Sequence, residues 1–469
     1  MFLNRSIIYL FIVFLSFSGI SCKKLVQVDP PVTNSTDKTA FQSNATAAAV
    51  LTGVYVRMIQ SDVGLSSGAK SISQVCGLSA DELKNHSTDP YYTQFYSNGV
   101  SSLRAPFWSE CYEYIYTANA ALEGLSATNG VSSVLKEQLM GEAYFLRSFF
   151  YFYLVNLFGD VPLHTVTDYK MTSKASRTPT NKVYQQIIND LKEAQKLLPE
   201  DYRTADNNIT TERVRPNKAA ATALLSRVYL YQRQFADAEA QASAVLENVA
   251  TFALEQDLDK VFLKESREAI WQLQPVIPQT NTFDARYFVL NALPGLVQPT
   301  TISQQLLSSF EPGDLRKSKW VGIYTDNGAD YFYPFKYKVA DYGQPLTEYV
   351  MALRLAEVQL IRAESRAQLG NIAGAQMDLN AIRGRAGLMA VETQDKVQLL
   401  SAIEDERQVE LFTEWGHRWL DLKRTGHADS VMGIVTPLKG GTWNANWKLF
   451  PIPIAEIQNN PNIKQNQGY

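Results

Sequence analysis

The chain is poor in the residues on which metal and nucleophile chemistry depends. It has three Cys and four His among 469 residues. His86, His164, His417 and His427 are scattered, so their spacing builds neither a zinc triad nor a Ser-His dyad. A glycine-rich loop able to cradle phosphate is also missing. Charge of one sign is lacking too: 44 Lys plus Arg stand against 47 Asp plus Glu, a formal charge of -3. Without a basic stripe to neutralise phosphates, the composition argues against nucleic acid as a partner. After the first twenty residues no apolar run is long enough to cross a bilayer. The sequence therefore supports no catalytic residue, no metal and no cofactor.

Two fragments imitate catalytic motifs. Gly64-Leu65-Ser66-Ser67-Gly68 has the spacing of a nucleophile elbow, and Ser67-Gly68-Ala69-Lys70 that of a Ser-x-x-Lys pair. An elbow needs a strand before it and a helix after it within an α/β sheet, whereas this neighbourhood is small and polar, so it reads as a flexible loop. Glu410 and Glu414 could form a carboxylate pair, but bases at helical spacing around them point to salt links instead.

What is present begins at the N-terminus. Arg5 precedes an apolar run from Ile7 to Ile20, too short for a comfortable span and suited to a secretory signal. Gly19 and Ser21 lead into Cys22, an arrangement resembling a bacterial lipobox, although Gly19 stands where Leu is usual. Residues 1–21 are expected to be a lipoprotein signal peptide, Cys22 the acylated N-terminus, and 22–39 a polar tether. Cys76 and Cys111 remain. In an oxidising compartment they form a possible disulfide; otherwise they are two buried thiols, and spacing alone does not decide.

Helical periodicity dominates the rest. Leu139, Ala143, Leu146, Phe150, Tyr153 and Leu157 share one face of a long helix that Gly159 ends, and a second pattern runs from Val183 to Leu198 before Pro199. Residues 217–247 read as two helices with a turn near Gln232 to Gln234. Small Ser226 and Ala238 stand twelve apart with Phe235 in the corner, the spacing of a tetratricopeptide repeat. Residues 349–386 repeat the device with Ala363, Ala375 and Ile372 around a turn at Leu369-Gly370-Asn371. Further helices around 45–60, 108–125 and 139–198 would supply the partners that such a stack needs. Between these pairs the pattern fades. The stretches 62–107, 250–348 and 426–469 read as loop-rich, with a short strand at Ala269 to Leu273 in which Trp271 is core. The expected fold is mostly α: a tetratricopeptide-like helical-repeat scaffold over 40–469 as a single domain, with loop-rich insertions and a few short strands.

Five blocks, LRSFFYFYLVNLFGDVPL (146–163), YVMALRLAEVQLIRAESRAQLG (349–370), DLNAIRGRAGL (378–388), ERQVELFTEWGHRWLDLKRTG (406–426) and LFPIPIAEIQNNPNIKQNQGY (449–469), follow one another in an order that resembles the SusD/RagB family. Read physically, the fourth block fits a helix with a buried Leu and Trp stripe and ion pairs along it. The fifth is an extended clasp set by Pro451 and Pro453. The resemblance implies a SusD-like α-helical fold and a non-enzymatic outer-membrane lipoprotein. Such a protein sits over a TonB-dependent, SusC-like transporter and helps deliver a glycan, or a peptide in the RagB branch. Lys23 and Lys24 depart from the acidic residues that often follow the lipidated cysteine in surface-exported members. A helical-repeat envelope scaffold is the alternative outside the family.

Aromatic residues make up 11% of the chain, enough to leave some for a surface that stacks on sugar rings or peptide side chains. Tyr91, Tyr92, Phe95 and Tyr96 with Asn98 form the densest group, expected in a loop. Tyr287, Phe288, Trp320 and Tyr324 form a second, in the irregular region where the family resemblance implies ligand contacts.

Overall fold

The structure, a computed structural model, describes residues 40–469; the expected signal segment and tether, and Cys22 between them, lie outside the described residues. Among the described residues no helix is long and apolar enough to cross a membrane. The centre is α5 (Ser133–Phe158), preceded by α1 (Asn44–Ile59), α2 (Ile72–Ser79), α3 (Pro90–Tyr96) and α4 (Trp108–Ala127). From Phe145 to Phe158 every residue of α5 except Asn156 is buried, which is what a helix apolar on all sides requires. It packs between α4 and α7 (Thr180–Leu197), beyond the single turn α6 (Tyr169–Thr172). At Gly159 the chain turns at φ +74°, and Gly159 N–H donates to the Val155 carbonyl.

The two small-residue pairs are α8 (Lys218–Tyr231) with α9 (Phe235–Leu246), and α13 (Leu355–Gln368) with α14 (Ile372–Arg385). Ser226, Ala238, Ala363 and Ala375 have no solvent exposure, so the backbones meet closely at the predicted points. Although 108 residues of other structure separate the pairs in sequence, α9 packs against α13 and α8 against α7. The helices therefore stack continuously in the order α4, α5, α7, α8, α9, α13, α14. The stack is extended by α15 (Lys396–Glu410), which leans on α13 and α14. The helical-repeat fold class holds.

The loop-rich stretches are more ordered than the composition suggests. Residues 62–107 contain α2, α3 and β1 (Leu83–Asn85). Residues 250–348 hold β2 (Ala269–Leu273), α10 (Phe283–Phe288), β3 (Thr300–Ile302), α11 (Gln304–Ser309), α12 (Leu315–Trp320), β4 (Val321–Asp326) and β5 (Ala329–Pro334). Tyr349 is followed by a strand, β6 (Val350–Arg354), so the second pair begins later than expected. Three two-stranded antiparallel sheets result: β1 with β3, β2 with β6, and the β4–β5 hairpin closed by Asn327-Gly328 at φ +48° and +81°. Trp271 on β2 is buried edge-on to Phe145 at 4.9 Å and Phe149 at 5.1 Å, tying the insertion to α5.

Near the C-terminus the single helix expected over 406–426 is interrupted. α15 ends at Glu410 and α16 (His417–Thr425) begins after Thr413, Trp415 and Gly416, all at positive φ. The break lets Phe412 enter the core beneath the insertions while Trp415 enters the helical core, where its indole N–H donates to the Met351 carbonyl at 2.7 Å. Helices α17 (Ala428–Leu438) and α18 (Ile454–Asn459) complete the chain.

Charged side chains cross the seam between insertions and helices. Glu410, fully buried, accepts from Arg354 at 2.7 Å, Arg316 at 3.0 Å and Arg385; Glu414 accepts from Arg354 at 2.7 Å and Lys336 at 2.5 Å. This is the ion-pair reading of the fourth block, now drawing in Arg316 and Lys336 from the insertion. The two carboxylates are consumed by guanidinium and ammonium groups rather than presented to a cleft. The possible disulfide is absent: Cys76 and Cys111 are free, and both thiols are buried in the apolar core, which pushes Cys76 up to about 12.

Candidate ligand-binding site

The predicted aromatic groups converge only in part. Tyr91 to Tyr96 is not a loop but the short helix α3: Asp89 caps it by accepting from Tyr91 N–H at 2.8 Å, and Pro90 occupies its first turn. Helical spacing then sends the side chains to different places. Phe95 is fully buried against Phe450, ring centroids 5.6 Å apart. Asn98 is buried too, donating to the Ser79 carbonyl at 2.8 Å and accepting from the Thr436 hydroxyl at 2.8 Å, so it is a structural brace. Tyr96 lies half-buried beneath Lys439.

Tyr91 and Tyr92 stay together, edge to face at 5.6 Å, and Lys70 caps the Tyr91 ring at 4.6 Å. Lys70 and Asp62 belong to a tight loop whose ends bridge at Val63 and Gly68. Gly68 adopts φ +99°, and a Cβ there would lie 2.5 Å from the Asp62 carbonyl oxygen, so this turn requires glycine. Gly68 N–H donates to the Asp284 carboxyl at 2.9 Å and Leu65 N–H to Glu110 at 2.9 Å, fastening the loop to α10 and α4. Burial pushes Asp284 up to about 7. Ser66 and Ser67 are buried inside this turn; α2 follows at Ile72, but no strand of an α/β sheet precedes them as an elbow needs.

The second group divides as well. Trp320 and Phe288 are buried: Trp320 has no exposure, its indole N–H donating to the Leu258 carbonyl at 3.0 Å, and it forms the centre of the core beneath the insertions. Both leave the candidate site because their apolar faces are needed in cores, Trp320 in the one beneath the insertions and Phe288 in the main helical core. Tyr287 does reach the first group. Its hydroxyl donates to the Asp62 carboxylate; Tyr92 is itself buried in the core, and burial, with Asp89 and then Asp62 adding, pushes its hydroxyl up to about 12. Burial, with Asp62 next, holds Tyr287 at about 12 as well. Both phenols keep their protons, and that of Tyr287 is donated to Asp62.

Tyr324 pairs across the hairpin with Tyr331, whose ring meets His86 edge-on at 5.9 Å. His86 is held by Thr301 at 2.8 Å, and burial lowers it to about 4, so the imidazole is neutral at pH 7. Residues 289–299 link Tyr287 to this second cluster and expose Leu293, Leu296 and Val297. Asp62, Lys70, His86 and Tyr331 have no sequence signal of their own; the Asn327-Gly328 turn before an aromatic strand could have revealed Tyr331. The surroundings thus offer aromatic edges, phenol oxygens, the Asp62 and Asp89 carboxylates and the Lys70 and Arg286 cations, and with these charges in balance they suit hydrogen-bonding and stacking on an uncharged, hydroxyl-rich ligand.

A family model described as "Starch-binding associating with outer membrane" (SusD-like) matches residues 28–230. SusD-like protein P2 of Formosa agariphila is 26% identical over 81% of this chain and 82% of its own length. These matches support assigning the chain to the SusD/RagB family. The crystal structure of a SusD superfamily protein from Bacteroides vulgatus shares the fold with a TM-score of 0.79 at 20% identity, over 91% of this chain and 99% of that one. A laminarin-binding SusD-like protein superposes with a TM-score of 0.75 at 24% identity, over 91% and 100% of the two chains. The helical stack of this SusD-like chain is the frame common to these structures. Its loop-rich face carries the aromatic clusters described above.

Proposed function

We propose that this protein is a lipid-anchored, non-enzymatic glycan-binding protein of the outer membrane. It captures an oligo- or polysaccharide on the face carrying Tyr91 and Tyr287 and passes it to a TonB-dependent, SusC-like transporter. The observation that carries the reading is the hydrogen bond from Tyr287 to Asp62, which brings a phenol and a carboxylate 225 residues apart together on the loop whose Lys70 caps the Tyr91 ring. A sugar hydroxyl can donate to the remaining lone pairs of the Asp62 carboxylate or to the Tyr287 phenol oxygen while the sugar's C–H face lies on the Tyr91 ring. Starch and laminarin, named for the family model and for one relative of the same fold, are the first glycans to try.

The test is affinity electrophoresis of the protein lacking its first 22 residues through gels containing starch, laminarin and other polysaccharides, with peptide mixtures run by calorimetry. Retardation by a glycan is expected; silence on every glycan with heat from peptides would move the reading to the RagB branch. The anchor is tested separately. Cys22→Ala should abolish incorporation of labelled palmitate and release the protein from the membrane fraction, and retention of the label would reject lipidation at Cys22.

A further inference from the structure

A second groove opens on another face of α4. Ser109, Tyr112, Glu113 and Tyr116 fall at i, i+3, i+4 and i+7, one stripe of the helix, and Leu65 is bound by Glu110 outside that stripe. The opposite wall is the C-terminal segment around Glu456 and Asn459, and the floor is formed by Pro162 and His164. The cavity measures about 440 Å³, within the range of small-molecule sites.

Its aromatic lining is fixed from behind. Tyr112 donates its hydroxyl to the Pro162 carbonyl at 2.7 Å and packs on Trp108 and His164, each at 5.1 Å. Tyr116, by contrast, is half exposed, with 50% of its surface open. An isolated aromatic ring on a helix surface needs no explanation, but this one borders a groove that Glu113 and Glu456 also line. His164 Nε2 is shielded from solvent and has no hydrogen-bond partner among the described residues. Its backbone is pinned, the N–H donating to Tyr151 Oη at 2.6 Å and the carbonyl accepting from Asn119 at 3.0 Å, so the ring is held in place. Shielded even from water, that nitrogen belongs to the packing beneath the groove and not to the contacts a ligand makes.

The charge of the lining selects among ligands. Glu113 and Glu456 contribute carboxylates and no Lys or Arg lines the groove, which disfavours phosphate, sulfate or an acidic peptide. We infer that this groove is a second saccharide site: a neutral sugar stacks on Tyr116 and hydrogen-bonds Glu113 and Glu456. The inference rests on the reading that the protein takes neutral glycans, and extends it to two separate points of contact along one polysaccharide. Two weak sites on one rigid frame raise the avidity for a long chain without tightening either contact.

The experiment is calorimetric titration of laminarihexaose and maltohexaose into the wild type, Tyr287→Ala, Tyr116→Ala and the double variant. Thermal unfolding of each variant confirms that it is folded. Tyr287→Ala is expected to leave residual binding that Tyr116→Ala weakens roughly three- to tenfold, as for loss of a stacked ring, while Tyr116→Phe keeps it. Glu113→Gln serves as an independent variant of the same groove and is expected to weaken the residual binding too. Wild-type stoichiometry and affinity in both Tyr116→Ala and Glu113→Gln would overturn the second site. Loss of all binding in Tyr287→Ala would overturn it while sparing the first site. Loss of all binding in Tyr116→Ala alone would uphold this groove and remove the first. A wild type silent to both sugars would remove both.

Discussion

Glu410 receives three guanidinium groups with no solvent exposure, and its value lies in what would be left if it were removed. Glu410→Gln leaves Arg316, Arg354 and Arg385 buried with excess positive charge. It should destabilise the protein by about 3–5 kcal/mol, read from urea unfolding. A variant as stable as the wild type would mean that water reaches those arginines. Buried carboxylates also set the response to pH, in opposite directions. Burial would raise Glu357, but Arg227 and then His417 outweigh it and bring the carboxyl down from 4.5 to about 2. Its contribution is present above the unfolded value and disappears as pH falls from 4.5 through about 2. Glu82 runs the other way: burial first and Asp81 next push it from 4.5 up to about 8. The folded state there holds a proton that the unfolded chain has released, so stability declines as pH rises from 4.5 toward 8. Glu82→Gln should flatten that decline in unfolding curves taken between pH 5 and pH 8; an unchanged slope would place the proton elsewhere.

At the scale of elements, the turn from Asp62 to Gly68 decides whether the aromatic groups meet. Gly68→Ala places a methyl group 2.5 Å from the Asp62 carbonyl at φ +99° and should cost about 1–3 kcal/mol, loosening Asp62 from Tyr287. Ligand affinity should fall more in this variant than in Gly313→Ala, where the added methyl group meets open space at a similar φ. Equal affinity in the two would separate the turn from the site. The helix pairs were legible because Ser226 and Ala238, and Ala363 and Ala375, are small at a spacing that a packed pair demands. Helix α3 was harder to read: Asp89-Pro90 is a sound helix start, but the aromatic density from Tyr91 to Tyr96 masks the period that separates buried Phe95 from exposed Thr93. The interruption after Glu410 was not legible at all. It follows from two cores claiming Phe412 and Trp415, and neither core is visible in one segment.

Across the whole molecule, the sequence reveals the frame better than the site. Periodicity and small-residue spacing depend on neighbours along the chain, and they yield the stack from α5 to α14. The candidate site depends on Asp62 reaching Tyr287, 225 residues away, and on Trp320 turning inward to fill a core that composition does not announce. Tyr91 and Tyr287 survive from the two aromatic groups because each stands at the edge of a core, whereas Phe95, Phe288 and Trp320 are committed to its interior. The central claim is that the loop-rich face, organised around Tyr287 and Asp62, binds a neutral glycan. Its most direct test is the affinity of Tyr287→Ala for whichever polysaccharide retards the wild type, with unfolding curves confirming an intact fold. The account predicts roughly tenfold or greater loss of affinity in a protein of near-native stability. Wild-type retardation by the folded variant would contradict it and place glycan binding elsewhere on the molecule.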